Sequence, residues 1–272
     1  VESQRGKAAR FLAAHRGPAP LLLPNPWDQG SARLFTWLGF EALATTSSGF
    51  AATRGRSDGS MSRDEILHHV DSMVEATSLP VSADLENGFG DDPDIVAETV
   101  RLALDCGVAG CSIEDSSGRT ESPLYAVAQA AERVAAAAEV AHGGPVQLVL
   151  TGRAENLLHG VVDLGDTIAR LQAYQEAGAD VLFAPGLKDI GDIRRVVVSL
   201  DRPVSVLARP GGPSVSELAD AGVARVSVGG ALCFAGLGAV ARAATELIEE
   251  GTFGFWEQSR GGLEAARAAF VE

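Results

Sequence analysis

PVSADLENGFGDDPDIVAETVRLALDCGVAGCSIED, residues 80–115, holds two short apolar runs on either side of a helical pattern. PVSADLE (80–86) and GCSIED (110–115) read as strands. Asp92 and Pro93 open the segment between them as cap and first-turn residue, and Val96, Val100 and Ala103 return on one side. Neither run alternates cleanly between apolar and polar, as expected of parallel strands covered on both faces. The unit recurs. LLLPN (21–25), ALATTSS (42–48), VQLVLTGRAE (146–155), DVLFAPG (180–186), PVSVLA (203–208) and RVSVGG (225–230) complete a set of eight strands. Helical patterns fall between them. Ser62 and Glu65 have capping-box spacing ahead of Ile66, Val70 and Met73, and the Ala-rich stretch 124–144 ends on a Gly pair. Residues 164–180, 213–225 and 233–251 have the same helical form.

Eight such units predict an α/β fold, a (β/α)8 TIM-type barrel over residues 1–250. A doubly wound open sheet is the alternative, and no GxGxxG follows the first strand to support it. Residues 251–272 form a C-terminal helical extension, which the Gly261-Gly262 pair is expected to break. Its apolar residues need a surface, on this barrel or on a neighbouring subunit.

The chain has 272 residues, 46% of them hydrophobic, enough for a sizeable core. Its net charge of −14 argues against nucleic acid or an anionic membrane as partner. An anionic small substrate still fits, because a cation or an arginine can reverse the field in one pocket. Cys106, Cys111 and Cys233 form no CxxC pair, which suits a reducing compartment. The N-terminal segment reads as a short amphipathic helix, not a secretion signal. No run reaches the ~18 apolar residues of a membrane span. A cytoplasmic location is the expectation.

Catalytic groups of a barrel sit at the carboxyl ends of its strands. Polar residues gather at those points: Thr45-Thr46-Ser47-Ser48-Gly49, Asp84 with Glu86, Glu114 with Asp115, and Arg153 with Glu155. Asp58 lies in the loop after the second strand. Each acid taken singly has a plain reading as a helix cap or ion-pair partner. Asp58, Asp84, Glu86 and Glu114 converging on one rim would repel one another unless a cation lay between them. Hard oxygen donors without His or Cys suit Mg2+ or Mn2+, held partly through water, rather than zinc. Arg153 reads either as an ion-pair partner of a rim acid or as a clamp on a substrate carboxylate or phosphonate. Residues 45–49 read either as an ordinary turn or as an anion cradle of N–H groups and hydroxyls. His15, His68, His69 and His142 read as surface or packing residues, whereas His159 can approach the rim. No Ser-His-Asp set is present.

These residues resemble the motifs of the isocitrate lyase / phosphoenolpyruvate mutase superfamily. Its D-x-D-x-G-[FY]-G motif is similar to Asp84-Leu85-Glu86-Asn87-Gly88-Phe89-Gly90, and its strand-four motif to Ile113-Glu114-Asp115. Its R-[TAV]-[DE] motif is similar to Arg153-Ala154-Glu155, its G-x-x-D loop to Gly55-Arg56-Ser57-Asp58, and its early YDxxSAR segment to residues 27–33. The resemblance spans residues 15–250. It implies Mg2+ on Asp84, with Asp58, Glu86 and Glu114 often acting through water. It implies a 2-oxo acid or its enolate on that metal, with Arg153 and the Ser47-Ser48-Gly49 region holding substrate anions. It also implies homodimers or homotetramers that exchange a terminal helix.

The chain departs from the lyases of that superfamily in the loop after the fourth strand. Ser116-Ser117-Gly118-Arg119-Thr120 replaces their Cys-bearing K-[KR]-C-G-H. The second Asp of the metal motif is Glu86, and Ala184-Pro185-Gly186 stands where they carry a Glu. The leading expectation is a Mg2+-dependent lyase or decarboxylase of a small 2-oxo (di)carboxylic acid, with Arg153, Glu114 and Asp58 as catalytic residues and Thr46, Ser47, Ser48, Gly49, Asp84 and Arg153 binding substrate. The alternatives are a P–C bond enzyme and a non-catalytic 2-oxo acid binding protein.

Overall fold

The structure, a computed structural model, describes residues 2–270. Its strands are β1 (Leu21–Leu23), β2 (Leu43–Ala44), β3 (Val81–Asp84), β4 (Gly110–Glu114), β5 (Val149–Arg153), β6 (Val181–Phe183), β7 (Val204–Leu207) and β8 (Arg225–Ser227). All pair in parallel in the order β1-β8-β7-β6-β5-β4-β3-β2. Just beyond β1, Pro24 O accepts from Ala44 N at 3.1 Å, which brings the two ends of the sheet together. This is a (β/α)8 barrel.

The helices are α1 (Gln4–Ala14), α2 (Gln29–Trp37), α3 (Ser47–Thr53), α4 (Arg63–Ala76), α5 (Pro93–Asp105), α6 (Val127–His142), α7 (Leu164–Glu176), α8 (Ile190–Val198), α9 (Val215–Asp220), α10 (Ala231–Glu249) and α11 (Trp256–Ala269). The caps read from the sequence are present: Ser62 and Glu65 form a capping box on α4, and Asp92 caps α5 with Pro93 in its first turn. The main core lies between strands and helices. Val96, Val100 and Ala103 of α5 and Val134, Ala137 and Ala141 of α6 are buried there. Small alanine side chains let α5 and α6 approach closely while still excluding water. Phe11 of α1 is fully buried against the lower strands with Leu21, Val149 and Val181. A Cβ on Gly110 would stand 2.6 Å from Val149 O, so this crossing of β4 and β5 accepts only glycine.

Three readings are corrected. ALATTSS is not a strand throughout: β2 ends at Ala44 and Ser47 opens α3, because the Thr46 hydroxyl accepts the Gly49 N–H as a helix cap. Gly261-Gly262 does not break the last segment, since α11 runs through both; a helix tolerates glycine when flanking Leu, Glu, Ala and Arg favour it. Finally, α10 does have the length and composition of a membrane span, with mean hydropathy 1.5 and 6% of it buried. Its few charges, Arg242 and Glu246 among them, interrupt the apolar run without outweighing it. In this chain α11 lies against α2, with Phe270 near Gly30.

Candidate active site

The backbone period of two decides which groups face the barrel mouth. Asp84 ends β3, with Glu86 two residues on. Glu114 ends β4 and Arg153 ends β5, with Glu155 two residues on. The turn after β3 bends sharply, with Glu86 at φ 49° and Phe89 at φ 65°, and Gly88 at φ 77° between them. Holding two non-glycine residues left-handed is strained, and such strain collects at functional sites.

Arg153 stands at the centre. Its Nη1 lies 3.1 Å from Glu114 Oε2 and 3.6 Å from Asp84 Oδ1, and its Nε donates to Glu155 Oε1 at 2.5 Å. Burial works against its charge, but Glu114, Glu155 and Asp84 outweigh that and push the guanidinium pKa up. The Arg153–Glu155 ion pair weighed from the sequence is therefore present, and Arg153 also meets two further acids.

One guanidinium cannot neutralise this rim. Burial, with Asp84 and Asp58 beside it, pushes Glu86 up to about 8. Burial also lifts Glu114 well above the usual carboxylate range against the pull of Arg153, and lifts Glu155 in the same direction. Glu86 Oε1 is buried with no hydrogen-bond partner. A buried orphan oxygen in a ring of acids has the donor chemistry a hard cation requires. Among the described residues no group of three or more His, Cys, Asp or Glu is arranged to grip a metal as it stands.

Asp84 is braced from the neighbouring strand end. Its Oδ2 accepts from Ser47 N at 3.1 Å, and its own N–H donates to Thr45 Oγ1 at 2.8 Å. Thr46, Ser47, Ser48 and Asp58 line the same cavity as Asp84 and Arg153. Gly49 is buried, with its N–H spent on Thr46, so it shapes this wall without offering a donor. An adjoining cavity of about 740 Å3 is lined by Glu86, Glu114, Asp58, Ser116, Glu155 and His159. There His159 Nε2 lies 3.2 Å from Ser116 Oγ. The loop 116–125 folds back through a Ser116–Leu124 bridge, and Arg119 is pinned to Asp91 at 2.7 Å.

Asp115 was legible only as a motif letter. It points the opposite way from Glu114 and Ser116, into the helix layer, and is 2% exposed. Its Oδ2 accepts from Arg170 Nη1 at 2.9 Å and Tyr174 OH at 2.5 Å, while its Oδ1 accepts from Glu155 N at 2.7 Å. Asp115 therefore fixes the backbone carrying Glu155, and through Glu155 the guanidinium of Arg153. The available signal was the i, i+4 run Asp166, Arg170, Tyr174 on α7.

A parallel barrel whose acids and one arginine crowd the carboxyl-end mouth has the layout of a barrel enzyme. The chain belongs to the phosphoenolpyruvate phosphomutase family, whose model matches residues 11–248. It is 33% identical over 235 residues to an uncharacterized protein of Mycobacterium tuberculosis, covering 86% of this chain and 87% of that one. It is 32% identical over 276 residues to an oxaloacetate decarboxylase of Rhodopseudomonas palustris, covering 97% and 90%. A solved structure of a candidate lyase/mutase from Burkholderia cenocepacia superposes with a TM-score of 0.95 at 50% identity, covering 98% and 97%.

Proposed function

We propose that this chain is a Mg2+-dependent carbon–carbon lyase or decarboxylase that acts on a small 2-oxo acid by way of an enolate. The observation that carries the reading is the ring of acids about Arg153 with the Glu86 Oε1 orphan among them. Asp84, Glu86, Glu114 and Asp58 are the residues that would hold Mg2+, directly or through water. When bound, the metal supplies positive charge against the enolate that bond cleavage leaves. Arg153 adds a second, fixed positive group and orients the substrate carboxylate. Ser47, Ser48 and Thr46 line the same cavity. The loop 116–125 covers the mouth and limits water. The His159–Ser116 pair holds a proton at the cavity wall, a part the missing loop cysteine leaves open.

The likeness to an oxaloacetate decarboxylase over nearly the whole chain supports C–C chemistry. The test is a product screen of purified protein with Mg2+ against oxaloacetate, methylisocitrate, isocitrate and phosphonopyruvate, with Asp84→Ala as control. A 2-oxo acid released only by the intact protein supports the reading. Phosphate released from phosphonopyruvate would transfer the site to P–C chemistry, and metal-dependent binding without turnover to a binding protein.

We also propose that residues 251–272 extend a barrel domain of residues 1–250, and that, while α11 rests on α2 of its own chain, its outward face and that of α10 pack on a neighbouring subunit. Phe234, Leu237, Val240 and Ile248 of α10 and Trp256 and Leu263 of α11 are exposed apolar residues that such packing would cover. Light scattering should then give a dimer or tetramer; a monomer at micromolar concentration refutes it.

A further inference from the structure

Arg225 opens β8 and sends its guanidinium into the barrel interior, where it is 4% exposed. Its Nε donates to Ser205 Oγ at 2.9 Å and its Nη1 to Thr151 Oγ1 at 3.2 Å, with His15 Nε2 at 3.4 Å. All three partners are neutral: burial and the nearby Arg225 charge push His15 down to about 3. Two of the other enclosed arginines meet carboxylates, and the third meets the carbonyls of a turn and an aromatic face. Arg153 meets three acids, Arg170 meets Asp115 and Asp166, and Arg133 meets backbone carbonyls and the Tyr125 ring. Among the described residues no carboxylate pairs with Arg225, and its Nη2 makes no hydrogen bond. Burial alone acts on its pKa and lowers it to about 9.

The surroundings are as polar as the charge requires. Barrel interiors are ordinarily filled by Val, Ile and Leu. Here Ser82, Ser112 and Ser227 line the same cavity as Arg225, and their hydroxyls have no side-chain hydrogen bond among the described residues. That cavity, about 250 Å3, also reaches Asp84 and Arg153 at the rim. Thr151, which touches Arg225, lies two residues below Arg153 on β5, an interval of about 6.6 Å along a strand. An unpaired buried cation is among the most costly arrangements in a protein unless an anion joins it.

We propose that the barrel interior is an anion site centred on Arg225, and that it takes the distal carboxylate of a dicarboxylic 2-oxo acid whose 2-oxo end lies at the rim. This rests on the enolate reading of the rim and narrows its substrate class to dicarboxylates. Ser82, Ser112 and Ser227 supply hydroxyl donors to the carboxylate, and Arg225 Nη2 supplies the charged one.

The test is calorimetric binding to the full chain with Mg2+. The probes are oxalate, which is too short to leave the rim, 2-oxoglutarate, 2-oxovalerate as the same chain without the distal charge, and chloride. Wild type should prefer 2-oxoglutarate to 2-oxovalerate by on the order of tenfold or more. Arg225→Met removes the charge at similar volume and should bring the two within about twofold while leaving oxalate affinity unchanged. If that variant fails to fold, Arg225→Gln gives the same comparison. A dicarboxylate preference that survives the loss of Arg225 overturns the proposal. So does chloride that binds only wild type when wild type has no dicarboxylate preference, which would mark a free inorganic-anion site. Wild type that does not bind oxalate would instead remove the rim reading, and the proposal with it.

Discussion

Glu86→Gln tests the electrostatics of the rim without touching the fold. The folded protein holds this carboxyl near 8, against 4.5 for a free one, chiefly by burial and then through Asp84 and Asp58. Because the folded pKa is the higher, the stability carried by the protonated form is complete below pH 4.5 and is lost as pH rises towards 8. At pH 7 the loss amounts to about 3.4 kcal/mol, from 1.36 kcal/mol per pH unit over roughly 2.5 units. Partial exposure of the side chain reduces this to about 2 kcal/mol. Glutamine keeps the shape and cannot ionise. With an unfolding entropy of about 0.57 kcal/mol/K for a chain this long, metal-free Glu86→Gln should melt about 3–4 °C above wild type at pH 7 and level with it near pH 4.5. Mg2+ should reverse the order. At 100 times its dissociation constant it should raise wild type by about 2.7 kcal/mol, or roughly 5 °C, and the variant by less. Scanning calorimetry at the two pH values, with EDTA and with Mg2+, reads both effects. A metal-free variant that melts below wild type at pH 7, or equal Mg2+ shifts in the two proteins, would contradict a buried, charge-crowded Glu86 that meets the metal.

Further outcomes follow from single contacts. His159→Gln should slow the exchange of pyruvate methyl protons in D2O by about a hundredfold while oxalate binds as before, as NMR would show; unchanged exchange removes His159 from the chemistry. Asp115→Asn leaves the buried Arg170 with Asp166 as its remaining carboxylate and should cost about 1–3 kcal/mol in a denaturant melt. A loss under 1 kcal/mol would mean that Asp115 is not the clamp. Gly110→Ala drives a Cβ to 2.6 Å from Val149 O and should cost about 1–3 kcal/mol or more, whereas Gly144→Ala, with nothing within 4 Å, should be close to neutral. Equal melting of the two would contradict the packing of β4 on β5.

The repeating unit and the strand ends that carry the site are written in local patterns of the chain. Apolar runs and capped helices are local patterns, so the eight βα units, the Ser62 and Asp92 caps and the strand-end positions of Asp84, Glu114 and Arg153 could be read in order. A strand end in a parallel barrel is also a rim position, which made the candidate site legible with the fold. The start of α3 at Ser47 was misread because β-branched threonines favour a strand until one of them caps a helix. Three features needed the closed barrel. Asp115 could not be told from its neighbour Glu114 until α7 brought Arg170 and Tyr174 onto it from 55 and 59 residues away. His159 met Ser116 only when two rim loops converged. Arg225 is the first residue of the RVSVGG strand, and only the closed barrel makes it an unpaired charge inside a cavity. Local sequence fixes the direction of a side chain along its own element; what it faces across the barrel is set by residues far away in the chain, and that is a property of the tertiary structure alone.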